Sequence, residues 1–287
     1  MAGVPGLRGY EEPRHVGKGA GMEERYNKLA GMLKRLGRVA VAFSGGVDSS
    51  FLLAAATREL GDNAVGITID SPALPRSELE DAINIAALTG SGHIIIDSPD
   101  IEEAVRMNPA DRCYHCKKTE FGQVLDKARE LGIEYVLDGS NADDTADYRP
   151  GMAAVQELKV LSPLLELGFT KKEIREQSQR LGLFTWDKPA YACLYSRIPY
   201  GSEIKQEDLL KIELSEKYLM KNGFRVSRVR CHGDIARIEV EPALVPLIMA
   251  EPLRSEVVRT LKSYGFRYVT IDIEGYRMGS LNEALNM

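Results

Sequence analysis

Nowhere does this sequence hold the roughly 20 consecutive apolar residues that a membrane-spanning helix requires, so no membrane partner is expected. The opening stretch, MAGVPGLRGYEEPRHVGKGAG, has no apolar segment of the kind that forms the centre of a secretory signal. Its Gly, Pro and charge content predicts a flexible N-terminal arm over residues 1–21, and the expected compartment is the cytoplasm. Basic residues do not dominate: 37 Lys and Arg face 42 Asp and Glu, giving a formal net charge of −5, and no run of Lys or Arg stands out. That balance argues against a partner held mainly through phosphate charge, such as long nucleic acid. It leaves room for a local basic pocket that takes a small anion. Cysteine is scarce, with four residues in 287. In a reducing compartment, so few thiols point to metal ligation or catalysis before structural disulfides. There is no internal repeat and no low-complexity segment.

What is present is the composition of a globular protein with a sizeable core: 44% hydrophobic and 28% charged residues. The length suits one large or two ordinary domains. From residue 38 to 140, short apolar runs (RVAVAF, AVGITID, GHIIIDS, EYVLDGS) alternate with helical patterns (VDSSFLLAAATREL, LPRSELEDAINIAALTG, KKTEFGQVLDKARELG). Strands apolar on both faces and separated by helices predict an α/β fold with a doubly wound parallel sheet. Such sheets bind ligands beyond the carboxyl ends of their strands. After about residue 150 the rhythm changes. Thr170 is placed to cap an amphipathic helix, TKKEIREQSQRLG, and a stretch poor in regular signals follows. From residue 202 an α-β-β-α-β pattern begins. The expected division is residues 22–200 for the main domain and 201–287 for a smaller C-terminal α+β domain.

The first strand runs into Ser44-Gly45-Gly46-Val47-Asp48-Ser49, and a helix follows at once. The two glycines let the backbone approach an anion, and the free amides of the helix N-terminus then face that anion. Ser44 and Ser49 add hydroxyl donors. The lysine and spacing of the G-x-x-x-x-G-K-[ST] loop are absent. The string matches the signature of the ATP-pyrophosphatase, or PP-loop, superfamily, whose members cleave ATP to AMP and pyrophosphate while adenylating a substrate oxygen. By that resemblance Asp48 is a candidate Mg²⁺ ligand. Asp138 to Asp144 (DGSNADD), at the end of the fourth strand, resembles a second superfamily element. It makes Gly139 and Asn141 candidate nucleotide-binding residues and Asp144 a further Mg²⁺ ligand. Two carboxylates beside a phosphate loop suit an ion that takes carboxylate and phosphate oxygens together. Asp70, ending the second strand, lies where family members hold the adenosine.

NPADRCYHCKK at 108–118 brings Cys113 and Cys116 close together. On spacing alone the pair can be a redox dithiol, half of a zinc site, part of an iron–sulfur site or two unrelated thiols. Cys193 and Cys231 are distant in sequence. Cys231 reads as a buried core thiol, His115 as a polar loop residue, and the single tryptophan, Trp186, as core packing.

Taken together, SGGVDSSFL, NPADRCYHCKK, DGSNADD, KPAYACLYSRIPYG and VRCHGDIARIE resemble the LarE family from about residue 22 to the C-terminus. These are ATP-dependent sulfur transferases that help build the nickel-pincer nucleotide of lactate racemase. The resemblance implies a small pyridinium-3,5-biscarboxylic acid mononucleotide as substrate. ATP adenylates its carboxylate, and a sulfur then displaces AMP to leave a thiocarboxylate. In one branch of the family the sulfur comes from the cysteine matching Cys193. In the other, three cysteines matching Cys113, Cys116 and Cys193 hold a 4Fe-4S cluster that supplies it from sulfide or another sulfur donor. This sequence matches the second branch, so the implied cofactors are ATP, Mg²⁺ and the cluster.

Arg228 and Arg230 stand two apart in a predicted strand and so project from one face. With Arg197, Ser196 and Glu216 they are the candidate substrate-binding set, the guanidinium forks gripping phosphate and carboxylate and Glu216, on the preceding helix, placed to brace one of them. A homo-oligomer is expected, a hexamer by family resemblance. The competing readings are a tRNA-thiolating enzyme, an ammonia-using ligase of the NAD-synthetase type and a non-catalytic adenine-nucleotide sensor.

Overall fold

Strand β1 (Val39–Ala42) is apolar on both faces because both faces are covered. Val39, Val41 and Phe43 point into one core with α1 (Ala20–Leu36) and α2 (Val47–Leu60), while Ala40 points into another on the opposite side. In this computed structural model, residues 20–146, 151–189, 192–277 and 279–285 are described, and nearly all of the predicted flexible arm (1–21) lies outside them. Beyond β1 come β2 (Ala64–Asp70), α3 (Arg76–Thr89), β3 (Gly92–Asp97), α4 (Glu103–Arg106), α5 (Arg112–Glu130) and β4 (Tyr135–Leu137). The sheet order is β3-β2-β1-β4, all parallel. Helix α5 supplies Phe121, Val124 and Ala128 to the second core, against Ala40, Ile67 and Val136. The chain is therefore an α/β protein with the expected parallel sheet and helices on both of its faces.

The strand order reverses beside β1, and β4 lies on the side away from β2. A crevice opens at such a switch point, outside the carboxyl ends of the strands. The loops after β1 and β4, which carry SGGVDS and DGSNADD, flank it.

Next follow α6 (Gly151–Glu157), α7 (Pro163–Glu166) and α8 (Lys171–Arg180). Thr170 caps α8 as expected. Its hydroxyl accepts the Glu173 N–H at 3.3 Å, and the Glu173 carboxylate accepts the Thr170 N–H at 3.0 Å, a reciprocal capping box. The C-terminal pattern also forms: α9 (Gln206–Lys221), β5 (Ser227–His232), β6 (Ile235–Val240), α10 (Val245–Met249), α11 (Leu253–Ser263) and β7 (Tyr268–Ile271). Strand β6 pairs antiparallel with β5 and parallel with β7. The core of this second sheet runs on into Ala73, just after β2, and into Val105 of α4, so the two sheets are joined by packed apolar residues. Among the described residues no helix is long and apolar enough to cross a membrane.

Two local expectations differ. The helix expected from Lys117 begins at Arg112, so the cysteine pair lies on its first turn. Trp186 is not a core residue. It is 39% exposed in a short 3₁₀ turn whose backbone is held by Arg175 through the Trp186 and Lys188 carbonyls, both at 2.6 Å.

Candidate active site

The loop after β1 is built for close approach. Gly45 has φ +73°, and a Cβ there would lie 2.4 Å from the Glu78 carbonyl oxygen and 2.9 Å from the Ala82 nitrogen. Gly46 caps α2 in extended conformation without a side-chain bond, leaving the helix-terminal amides unclaimed by a cap. The Ser44 and Ser49 hydroxyls are 3.2 Å apart, and Ser49 Oγ accepts the Ser44 N–H at 3.3 Å. The loop after β4 packs directly on this turn. A Cβ on Gly139 would meet the Ser49 nitrogen at 2.9 Å.

Asp48 stands at the start of α2 and pairs with Lys171 of α8 through Oδ2, while its buried Oδ1 has no hydrogen-bond partner. Burial pushes its carboxyl above the ordinary range, Lys171 pulls it down and the Asp144 carboxylate pushes it further up. Asn141 is almost wholly buried. Its N–H donates to Asp144 Oδ2 and its Oδ1 accepts the Asp143 N–H, both at 3.0 Å, yet its Nδ2 has no partner. An orphaned acceptor and an orphaned donor beside a glycine-rich helix N-terminus need external partners. A cation at the Asp48–Asp144 pair and a phosphate or sugar oxygen at Asn141 have the complementary chemistry. Asp70, at the end of β2, is paired with Arg76 at 2.5 Å.

Three lysines that sequence reading left unassigned line this region. Lys171 holds Asp48. Lys188 is nearly buried, 2.8 Å from Glu78, 2.5 Å from Asp81 and 3.3 Å from the Gly45 carbonyl. Lys117, one residue after Cys116, has an ammonium held up first by Glu120, with Asp138 and Cys193 adding to it. Its geometric partner is Glu120, 3.3 Å away on the next turn of α5. Lys117 and Lys188 fall inside the quoted motifs, but neither has a spacing rule that would have singled it out. Lys171 is visible only as the residue after a capping Thr.

Cys113 and Cys116, three apart on α5, share one helix face. Cys193 is brought to the same region because the Leu194 N–H donates to the Ala73 carbonyl at 2.9 Å and Leu194–Arg197 forms a 3₁₀ turn. Cys116 and Cys193 pack against the same apolar cluster, which includes Leu194, Tyr195 and Ile198. Burial pushes the Cys116 thiol well up, and the neighbouring Cys193, Glu120 and Cys113 act in the same direction against a partly offsetting Arg112. The Arg112 guanidinium is buried, with Nη2 3.7 Å from Cys113 Sγ. All three thiols are free and half-buried. The structure does not close them into a ligand set. Among the described residues no group of three or more His, Cys, Asp or Glu side chains is arranged to hold a metal ion. Cys231 is a core thiol as expected, 2% exposed, with burial pushing it up to about 12. His115 pairs with Asp111 at 3.1 Å on the exposed side.

The three arginines expected to receive the substrate are engaged within the protein, and Glu216 braces one of them, Arg197, as expected. Their forks are taken by protein groups, because a buried guanidinium must be paired. Arg197 is fully buried. Its Nε and Nη2 bond Glu216 Oε1 and Oε2, both at 2.9 Å, and Nη1 donates to the Ala192 carbonyl (2.7 Å), the Cys193 carbonyl (3.0 Å) and Ser196 Oγ (2.9 Å). Burial pushes the Glu216 carboxyl up, but Arg197, Arg228 and the Val229 N–H outweigh it and hold it below the ordinary range. Arg230 bonds Glu239 with both arms (2.9 and 2.8 Å) and the Ser196 carbonyl at 2.8 Å. Arg228 stacks over the Tyr276 ring at 5.1 Å and donates to the Ser227 carbonyl at 2.7 Å. The observed work of Arg197 and Arg230 is to hold the segment from Ala192 to Ser196.

Comparison with known proteins agrees with this geometry. No protein-family model matches the chain. It is 37% identical over 262 residues to pyridinium-3,5-bisthiocarboxylic acid mononucleotide synthase of Lactiplantibacillus plantarum, covering 90% of this chain and 93% of that one. The chain belongs to the LarE family. An uncharacterised protein of Synechocystis sp. is 42% identical over 265 residues, 92% of this chain and 99% of its own. More distant is the tRNA-specific 2-thiouridylase MnmA of Trichlorobacter lovleyi, 26% identical over 210 residues, 61% of this chain and 59% of that one. The LarE-family chain thus shares the α/β fold of the PP-loop, adenine nucleotide alpha hydrolase-like proteins.

Proposed function

We propose that this protein is an ATP-dependent, AMP- and pyrophosphate-forming sulfurtransferase that converts a carboxylate of pyridinium-3,5-biscarboxylic acid mononucleotide to a thiocarboxylate. The product serves nickel-pincer nucleotide biosynthesis. The observation that carries this reading is the near-full-length identity to the synthase whose name states that product. The crevice supports it chemically. A glycine-rich loop with free helix-terminal amides stabilises the charge that grows on a departing pyrophosphate. Asp48 and Asp144 would hold Mg²⁺, which would neutralise the triphosphate charge that otherwise repels the attacking carboxylate. Adenylation is needed because a carboxylate oxygen does not leave at neutral pH, whereas AMP does.

Cys113, Cys116 and Cys193 would hold a 4Fe-4S cluster, which supplies transferable sulfur at the iron that carries no thiolate. Three observations support the fit. The thiols are free, two of them pack on one apolar cluster, and the buried Arg112 cation stands beside them. Burial that holds the Cys116 thiol protonated is overcome by a metal, since a coordinating thiol is deprotonated outright. The chain's own part is to exclude water through Leu194, Tyr195 and Ile198 and to fix the Cys193 segment through Arg197 and Arg230. In this proposal residues 201–287 serve substrate binding and assembly into a symmetric oligomer, a hexamer. Arg228, Arg230 and Ser196 lie nearest to the role of receiving the substrate anion.

The test is anaerobic purification with iron and sulfide assays, followed by reaction with ATP, the dicarboxylate mononucleotide and sulfide. The proposal predicts an iron-containing protein that makes many thiocarboxylates per chain with intact Cys193. An iron-free protein that turns over once and loses the Cys193 sulfur contradicts the cluster. Tight tRNA binding with a steep salt slope, and no thiocarboxylate, favours the tRNA-thiolating reading.

A further inference from the structure

Asn108 lies five residues before Cys113 and is completely buried. Its φ of +47° is in the left-handed region that Asn adopts more readily than most residues. That backbone shape alone would be served by glycine. The side chain, however, is fully used. Nδ2 donates to the Ile198 carbonyl at 2.7 Å and to the Pro199 carbonyl at 2.9 Å, while Oδ1 accepts from Arg112 Nη1. The Asn108 carbonyl also accepts the Gly201 N–H at 3.0 Å, and the Arg106 carbonyl accepts the Ile204 N–H at 2.7 Å.

Arg112 extends the connection. Its Nη1 also reaches the Tyr195 carbonyl at 3.4 Å, its guanidinium stacks over the Tyr200 ring at 5.6 Å, and its Nη2 touches Cys113 Sγ at 3.7 Å. Apart from the Arg112 contacts to Asn108 and Cys113, which lie within the first segment, every bond in this set joins the chain just before Cys113 to the chain after Cys193. The two segments are about 90 residues apart, and loops so distant need specific contacts to fix their spacing.

We propose that Asn108, acting with Arg112, is the positioning residue that sets the approach of Cys193 to the Cys113/Cys116 turn. The proposal deepens the sulfur-transfer reading and rests on it for the shared task of the three thiols. The approach itself is a property of the protein without ligands, so it is tested without them.

The experiment uses the full chain, reduced and treated with a chelator, and dibromobimane as a probe that joins two neighbouring thiols. Peptide mapping separates bridges from Cys193 to the α5 turn from the Cys113–Cys116 bridge, which lies within one helix turn and serves as internal control. Wild type is expected to form the Cys193 bridge. Asn108→Gly keeps the left-handed backbone but lowers the rate of that bridge by roughly tenfold, as expected for a lost intramolecular alignment, and leaves the Cys113–Cys116 bridge unchanged. Asn108→Asp keeps an acceptor for Arg112 but loses both donors, and lowers the Cys193 bridge as well. In turnover assays the Asn108→Asp protein shows a lower kcat at an unchanged KM for ATP. A Cys193 bridge that forms at the wild-type rate in both variants, or never in wild type, overturns the proposal. Because the bridge needs neither ATP nor substrate, its outcome is independent of whether the sulfur-transfer reading holds.

Discussion

Replacing Arg197 with methionine removes the cation on which the Cys193 segment is built. Arg197 is fully buried and holds Glu216 with two bonds of 2.9 Å, so the variant leaves a carboxylate inside the protein with only the Val229 N–H and the nearby Arg228 to balance it. Breaking a buried pair from one side costs about 3–5 kcal/mol. The loss of bonds to the Ala192 and Cys193 carbonyls and to Ser196 puts the expectation toward the upper part of that range.

The pH dependence carries a definite sign. In wild type the Glu216 carboxyl is held below its unfolded value, so its ionisation contributes stability that is present above the unfolded value and lost as pH falls through the folded one. In Arg197→Met the burial effect loses its main opponent, and the carboxyl rises. The deficit of the variant relative to wild type is then largest at neutral pH and shrinks as acid protonates the buried Glu216. Urea denaturation followed by circular dichroism at neutral and mildly acidic pH reads both quantities. The double replacement Arg197→Met/Glu216→Gln removes both charges and should recover part of the loss. A neutral-pH deficit below about 1 kcal/mol, within the range of an ordinary substitution, or one that does not change with pH, would refute this account of the pair.

Other sites give sharp expectations. Asp48→Asn should lower AMP formation by roughly 100-fold or more, because it removes a carboxylate that would hold the Mg²⁺ neutralising the departing pyrophosphate. The thermal midpoint should hold or rise, since a carboxyl pushed up by burial is replaced by a neutral amide; a clear fall in the midpoint with AMP formation intact would count against the site. Gly139→Ala inserts a Cβ 2.9 Å from the Ser49 nitrogen, so overpacking of about 1–3 kcal/mol should appear as an increased KM for ATP, and an unchanged KM would show that the β4 loop does not shape the nucleotide site. Cys231, buried with its thiol pushed up to about 12, should resist iodoacetamide in the native protein and react after unfolding. Mass spectrometry reads this directly, and rapid native alkylation would contradict its place in the core.

The parallel sheet was legible because its strands are short, nearly continuous apolar runs, and because the residues at their ends, SGGVDS and DGSNADD, are short-range patterns. The C-terminal α-β-β-α-β order was legible from the alternation of apolar and polar residues in its strands between amphipathic helices. What escaped is what depends on long-range contact. Arg228 and Arg230 do sit two apart on one strand, but periodicity does not reveal that Glu239 and Tyr276 occupy them. Glu216, on the helix before β5, was expected to brace one of the arginines and does hold Arg197, but that the Ala192, Cys193 and Ser196 oxygens take up the remaining arm of Arg197 depends on the fold. Lys188 and Lys171 carry no motif of their own and acquire a place only when α3 and α8 pack beside the loop. Trp186 was misread because apolar size suggests burial, whereas a short 3₁₀ turn held through its backbone leaves the ring half outside.

The central claim is that ATP activates a substrate carboxylate by adenylation. Its most direct test is oxygen transfer from pyridinium-3,5-biscarboxylic acid mononucleotide labelled with ¹⁸O in its carboxylates. Attack on the α-phosphorus makes a carboxylate oxygen the bridge to AMP, and sulfur attack at the carbonyl leaves that oxygen on the nucleotide. The account predicts one ¹⁸O in the AMP for each thiocarboxylate formed, with pyrophosphate unlabelled. Unlabelled AMP, or the appearance of ADP and phosphate instead, would contradict it.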